Sequence, residues 1–235
     1  MSSVAVDSHL SRAFRFYQAT IGKKAVMAIT GVILFGFIVG HLIGNLQIYA
    51  GRETLDAYGE FLHHSTHGLI WVVRLVLLAS VIAHIVASVQ LWAVKRNARP
   101  IGYIKTDYSH SSYASRTMMW SGPIIAAFVI FHLMDLTWGN ANPAFQEGHV
   151  YDNVIASFSR VPVSIAYIVA LTLLCIHLYH GIYSMFQSLG LSHPKYTPAI
   201  QRLAKAAAFL IWAGYVSIPI SVLTGLIGGS DATRL

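Results

Sequence analysis

Charge is missing from this sequence in blocks, and each block is long enough to cross a lipid bilayer. No Asp, Glu, Lys or Arg lies between Lys24 and Arg52, between Arg160 and Lys195, or between Lys205 and Asp231. From Glu60 to Lys95 the one charge is Arg74, and from Arg116 to Glu147 it is Asp135. About 20 apolar residues cross roughly 30 Å of hydrocarbon. The blocks therefore read as five transmembrane spans over about 24–48, 69–94, 117–139, 162–188 and 206–228. The runs are too long for strands and lack period-two alternation, so the expected fold class is all-α, an integral membrane bundle of five helices. The chain is 55% hydrophobic and only 11% charged, against roughly 25% charge in a soluble domain. Too little polar sequence remains to cover a soluble surface, which also excludes disorder, a charged coiled coil and most soluble enzymes.

The loops orient the bundle. Arg12, Arg15, Lys23 and Lys24 precede the first span; Lys95, Arg96, Arg99, Lys105 and Arg116 fill the second connection; Lys195, Arg202 and Lys205 fill the fourth. The other side has Arg52, Arg160 and Arg234. The positive-inside rule then expects a cytoplasmic N-terminus and an outside C-terminus. Arg12 and Arg15 interrupt any apolar core before the first span, so the first residues do not read as a signal peptide. Leu10, Phe14, Tyr17 and Ile21 instead suggest a short helix on the membrane surface. Pro100 and Pro143 fall in loops, whereas Pro123 and Pro219 fall inside spans, where neighbouring helices tolerate a kink.

Twelve histidines outnumber nine acidic residues. Five lie within spans: His41, His84, His132, His177 and His180. Ionisable groups at that depth are expensive and usually functional; a bland alternative is a histidine hydrogen-bonded to a neighbouring helix. Depth argues against the bland reading. His41 and His132 each lie seven residues before the outer end of their span, while His84 and His177 lie ten and eleven before the inner end. At ~1.5 Å per residue the pairs occupy two levels about 10 Å apart. Two imidazoles on separate helices can take both axial positions of a haem iron. Without a Cys-x-x-Cys-His motif such a haem is non-covalent, of b type. Zinc prefers four ligands at one level, and the single cysteine, Cys175, excludes an internal disulfide and thiolate metal sites. A proton relay through histidines is the rival. Gly36, Gly40 and Gly44 form a bare stripe beside His41, suited to helix packing or to a flat macrocycle.

Several stretches carry a family resemblance: TIGKKAVMAITG (Thr20 to Gly31), HLIGNL (His41 to Leu46), YGEFLH (Tyr58 to His63), SYASRTMMWSG (Ser112 to Gly122), Phe131-His132-Leu133 and HLYHGIYSMFQSLG (His177 to Gly190). The chain resembles the cytochrome b membrane-anchor subunit of succinate:quinone oxidoreductases (succinate dehydrogenase or fumarate reductase), in its single-anchor, five-helix, di-haem form. The resemblance implies that residues 1–235 are one membrane-anchor domain holding two haems b. The outer haem iron would take His41 and His132, and the inner one His84 and His177, with His180 the runner-up. It also implies a flavoprotein subunit and an iron–sulfur subunit on the cytoplasmic face of a bacterial-type inner membrane. Quinone, ubiquinone or menaquinone, would be the substrate, and a higher oligomer of the complex is compatible. No nucleic acid is expected. The alternatives are a fumarate reductase anchor working from quinol and, further off, a histidine-relay transporter.

Position supplies further candidates. Arg74, about one turn into its span, could pair with a haem propionate or snorkel to headgroups. Asp135 lies three residues after His132 and could exchange protons with quinone or cap a helix end. Glu60, His63, His64 and His67 lie in the first outer loop, where Leu55, Tyr58 and Leu62 suggest a short interfacial helix. Arg116, Ser115 and Trp120 lie where the inner haem or a second quinone could reach, although Trp120 equally suits an interface anchor. His9, His110, His149 and His193 read as loop residues.

Overall fold

The computed structural model describes residues 11–12, 14–65, 68–98 and 113–229. Among the expected features, His9, Leu10, His67, Arg99, Pro100, Lys105, His110, Ser112 and Arg234 lie outside the described residues, as do the side chains of His64 and Ser115. Every regular element described is helical. Helix α1 (Thr20–Asn45) tightens into a 3-10 segment (Leu46–Ala50) and is followed by the short α2 (Arg52–Glu60) and one π turn (Phe61–Ser65). Then come α3 (Leu69–Asn97), α4 (Tyr113–Leu136), the short α5 (Val150–Phe158), α6 (Val161–Ser188) and α7 (Thr197–Leu223). The five long helices α1, α3, α4, α6 and α7 are each long and apolar enough to cross a membrane. Their outward faces are apolar too, with Ile21, Ile43, Leu75, Leu210 and Phe209 all strongly exposed. In water that surface would be costly; in lipid it is the expected solvent face.

Helix limits differ from the charge-free blocks where local chemistry decides. α1 starts at Thr20 because buried Lys23 sends its Nζ back to the carbonyls of Tyr17 (3.2 Å) and Gln18 (2.6 Å), satisfying the end of the helical turn at residues 14–18. α7 starts at Thr197, with a proline in its first turn, where proline's fixed φ suits a helix start. It therefore includes the basic stretch that the charge pattern assigns to a loop. α7 ends at Leu223, followed by Gly225 and Gly228 at positive φ. Pro123 and Pro219 lie inside α4 and α7. α5 has no counterpart in the charge pattern; its signal is the buried series Tyr151, Val154 and Phe158 at helical spacing.

Packing is uneven. α6 lies along α7, α1 along α3, α4 along α6, and α1 also touches α6 and α7. One core runs through Tyr167, Leu171, Val216, Ile218 and Val222 into a cap of short elements bearing Ile48, Leu55, Tyr151, Val154 and Phe158. A second joins Leu42, Cys175, Leu178, Ile182, Ala204 and Ile211. The cap is cross-tied: the Tyr151 backbone N–H donates to Asp56 Oδ1 at 2.8 Å, and Arg52 pairs with Asp152. Gly44 seats the Tyr58 ring of the cap, since a Cβ there would stand 2.6 Å from Tyr58 Cε1. The bundle thus has a cap end and an opposite, basic end with Lys24, Lys95, Arg96, Arg116, Lys195 and Lys205.

At Gly22 a Cβ would overlap the Phe16 carbonyl and approach the Tyr17 Cα to 2.9 Å. Gly22→Ala is expected to cost about 1–3 kcal/mol, as overpacking does. The checks are a lower thermal midpoint in detergent and faster proteolysis around residues 14–18.

Candidate functional site

Four of the five intramembrane histidines meet as two pairs. The rings of His41 (α1) and His132 (α4) stand 5.8 Å apart, centroid to centroid, and those of His84 (α3) and His177 (α6) stand 6.4 Å apart. Neither pair joins helices that pack on one another: α1 packs with α3, α6 and α7, and α4 with α6, while α3 packs with α1. The imidazoles bridge gaps rather than fill a seam. Two imidazoles on opposite sides of one metal ion, each at roughly 2.0–2.1 Å, have centroids about 6 Å apart. Both pairs fit that span. His180 lies one turn further along α6, and the ring that faces His84 is that of His177.

Each of these four imidazoles meets a hydroxyl through Nδ1. The partners are Tyr215 for His41 (3.1 Å), Tyr167 for His132 (3.3 Å), Thr30 for His84 (3.1 Å) and Ser121 for His177 (3.3 Å). A hydroxyl has one proton to give, and each of these is already directed elsewhere. Tyr215 donates to the Ile38 carbonyl at 2.7 Å, Thr30 to that of Val26 at 2.8 Å, Ser121 to that of Met118 at 3.4 Å, and Tyr167 to Asp135 Oδ2 at 2.9 Å. With its proton so directed, each hydroxyl is able to accept from Nδ1–H. The tautomer that makes this bond leaves the Nε2 lone pair of each ring free to bind a metal, the arrangement seen in metal-ligating histidines generally. Among the described residues no three His, Cys, Asp or Glu side chains converge on a metal position; each pair offers two ligands.

The levels are regular. Thr30 and His41 on α1, and Ser121 and His132 on α4, are eleven residues apart; Tyr167 and His177 on α6 are ten apart. At ~1.5 Å per residue the two levels lie roughly 15–16 Å apart along these helices, more than the 10 Å counted from span ends. Space beside both levels is open: a Cβ on Gly36, Gly40, Gly122 or Gly181 would meet nothing within 4 Å. This donor set and these bare backbones fit a flat, largely apolar macrocycle that the two imidazoles of each pair would hold. The glycine stripe of α1 therefore divides, with Gly44 taken by Tyr58 and Gly36 and Gly40 left clear.

Other candidates are placed differently from one another. Asp135 is fully buried, and its carboxylate is engaged by Arg160 (2.6 Å), Tyr167 and Ser157. Arg160 also donates to the Ala141 carbonyl at 2.8 Å. Sequence reading gave Arg160 only as a loop charge. Arg74 meets a histidine: its Nη2 lies 3.2 Å from His63 Nε2, and its guanidinium stacks 4.8 Å over Trp71. His63 Nδ1 lies 2.9 Å from the Gly59 carbonyl. Glu60 and Arg116 are exposed, and Trp120 is 75% exposed, as an interface anchor would be. His149 and His193 are exposed in loops. At the basic end a cavity of about 440 Å³ opens between α1 and α6, with Thr20, Lys24, Ser184, Gln187 and Ser188 among its lining. Sequence pattern could not single these residues out, because hydroxyls and amides are common at helix ends.

Removing Arg160 would strand a fully buried carboxylate, and Arg160→Ala is expected to destabilise by roughly 3–5 kcal/mol. Asp135→Asn combined with Arg160→Gln should recover part of that loss; thermal unfolding in detergent reads both.

A family model for the succinate dehydrogenase/fumarate reductase transmembrane subunit matches residues 95–216. The match takes in α4, α5, α6 and most of α7, and with them His132 and His177. No curated protein and no solved structure matches the chain. The matched segment is more than half of the sequence, and its helices carry one member of each histidine pair: the chain belongs to the succinate dehydrogenase/fumarate reductase transmembrane subunit family.

Proposed function

We propose that this chain is the di-haem cytochrome b anchor of a succinate:quinone oxidoreductase, carrying electrons between an iron–sulfur subunit and membrane quinone. The observation that carries the reading is the four imidazoles, paired at two levels with ring separations of 5.8 and 6.4 Å and each held through Nδ1 by a hydroxyl. His41 and His132 would hold one haem iron, and His84 and His177 the other. Haem b, when bound, supplies one-electron redox chemistry at each level. Thr30, Ser121, Tyr167 and Tyr215 orient the ligand nitrogens, while the surrounding apolar helices exclude water. Lys24, Ser184 and Gln187, in the cavity at the basic end, suit the anionic propionate arms of the nearer group.

The basic end faces the cytoplasm by the positive-inside rule, which puts the N-terminus inside, the C-terminus outside and the cap on the outer face of a bacterial-type membrane. Flavoprotein and iron–sulfur subunits dock on the basic face, since this chain has neither the flavin motif nor the cysteines to oxidise succinate itself. Quinone reacts near the cap, where His63 and Arg74 form a polar pair beside a π turn; such turns often mark functional sites. The same arrangement serves the reverse reaction, from quinol to fumarate.

A reduced-minus-oxidised spectrum with a haem-to-protein count should find two haems b per chain; none would overturn the reading. His41→Ala and His132→Ala should lose the same single haem, and His84→Ala and His177→Ala the other. His180→Ala should keep both. Loss of a haem in His180→Ala with retention in His177→Ala would reverse the assignment in α6.

A further inference from the structure

The four hydroxyls that orient the imidazoles are not equivalent. Three give their proton to a backbone carbonyl: Tyr215, Thr30 and Ser121. Tyr167 alone gives it to a carboxylate, Asp135 Oδ2 at 2.9 Å. A continuous chain results, from His132 Nδ1 through Tyr167 Oη to Asp135, and it ends on Ser157 and Arg160. Asp135 is fully buried, and all of its recorded partners are donors. It sits in the last turn of α4, where the helix dipole disfavours an anion. Arg160 precedes α6, where the dipole disfavours a cation. The pair offsets both penalties and holds the negative charge in a place the helix ends alone would reject.

We infer that Asp135 is a positioning and tuning residue for His132, acting through Tyr167, and that it makes the two axial ligands at the cap-side level unequal. The inference rests on the di-haem reading. A hydrogen bond from ligand Nδ1–H to an acceptor raises the basicity of the coordinating nitrogen. A hydroxyl polarised by a carboxylate is a stronger acceptor than one bonded to a peptide carbonyl. His132 is therefore the better electron donor of its pair and favours the oxidised iron, lowering the potential of that haem. His41, whose Tyr215 leans on the Ile38 carbonyl, contributes less. The charge is fixed by Arg160 and need not move for this to act.

The test is spectroelectrochemical titration of both haems in the intact complex carrying Tyr167→Phe, Tyr215→Phe or Asp135→Asn. Tyr167→Phe should raise the midpoint of one haem, the one missing from His132→Ala, and leave the other in place. Tyr215→Phe should move the same haem less. Asp135→Asn should shift it in the same direction as Tyr167→Phe. Tyr167→Phe keeps the Asp135–Arg160 pair, so it decides the matter if Asp135→Asn does not assemble. An unmoved midpoint in Tyr167→Phe, equal shifts in Tyr167→Phe and Tyr215→Phe, or equal shifts in both haems would overturn the inference while leaving two haems per chain. A wild-type complex without haem would instead overturn the reading beneath it.

Discussion

The bonds from imidazole Nδ1–H to a hydroxyl organise the interior of this bundle. A histidine inside a membrane is an expensive residue, tolerated when its polar atoms have partners. Here one nitrogen of each ring is satisfied by a neighbouring helix, and the other is left aimed across a gap. Thr30 ties α3 to α1, Ser121 ties α6 to α4, Tyr167 ties α4 to α6, and Tyr215 ties α1 to α7. Each of these bonds joins helices that pack on one another, whereas the helices that face each other across a histidine pair are not among the main packing pairs. That division leaves the openings beside Gly36, Gly40, Gly122 and Gly181.

The cap depends on a second polar system. Asp135 at the end of α4 and Arg160 at the start of α6 would each be unstable alone in such surroundings. Together with Ser157 of α5 they fix three elements at one point, and the apolar cluster of Ile48, Leu55, Tyr151 and Phe158 closes over it. Tyr167 belongs to both systems. The geometry of the cap-side histidines is therefore coupled to the cap, whereas the pair toward the basic end answers only to backbone carbonyls.

Much of the fold was legible because membrane insertion leaves a coarse signature. Charge-free blocks mark five long helices, and the structure has five. The ends were less legible. Lys23 looks like a boundary residue, yet it is buried as a cap on the preceding turn. The start of α7 carries exposed basic residues that a hydropathy pattern assigns to a loop. The site was legible in its histidines, whose depth groups His41 with His132 and His84 with His177. It was not legible in its hydroxyls, since Thr30, Ser121, Tyr167 and Tyr215 look like any other polar residues of an apolar helix. Asp135 stood out as a lone charge, but nothing in the pattern named Arg160, twenty-five residues on, as its partner.

The sequence by itself determined the membrane class, the number of long helices and which histidines share a level, because these follow from one-dimensional spacing against a fixed bilayer thickness. Tertiary structure alone decided which hydroxyl meets each imidazole, how far apart the two levels lie, and that the acid after His132 is locked in an ion pair. Those properties depend on helix rotation and on contacts between residues as far apart as Tyr215 and His41. No local pattern encodes such contacts.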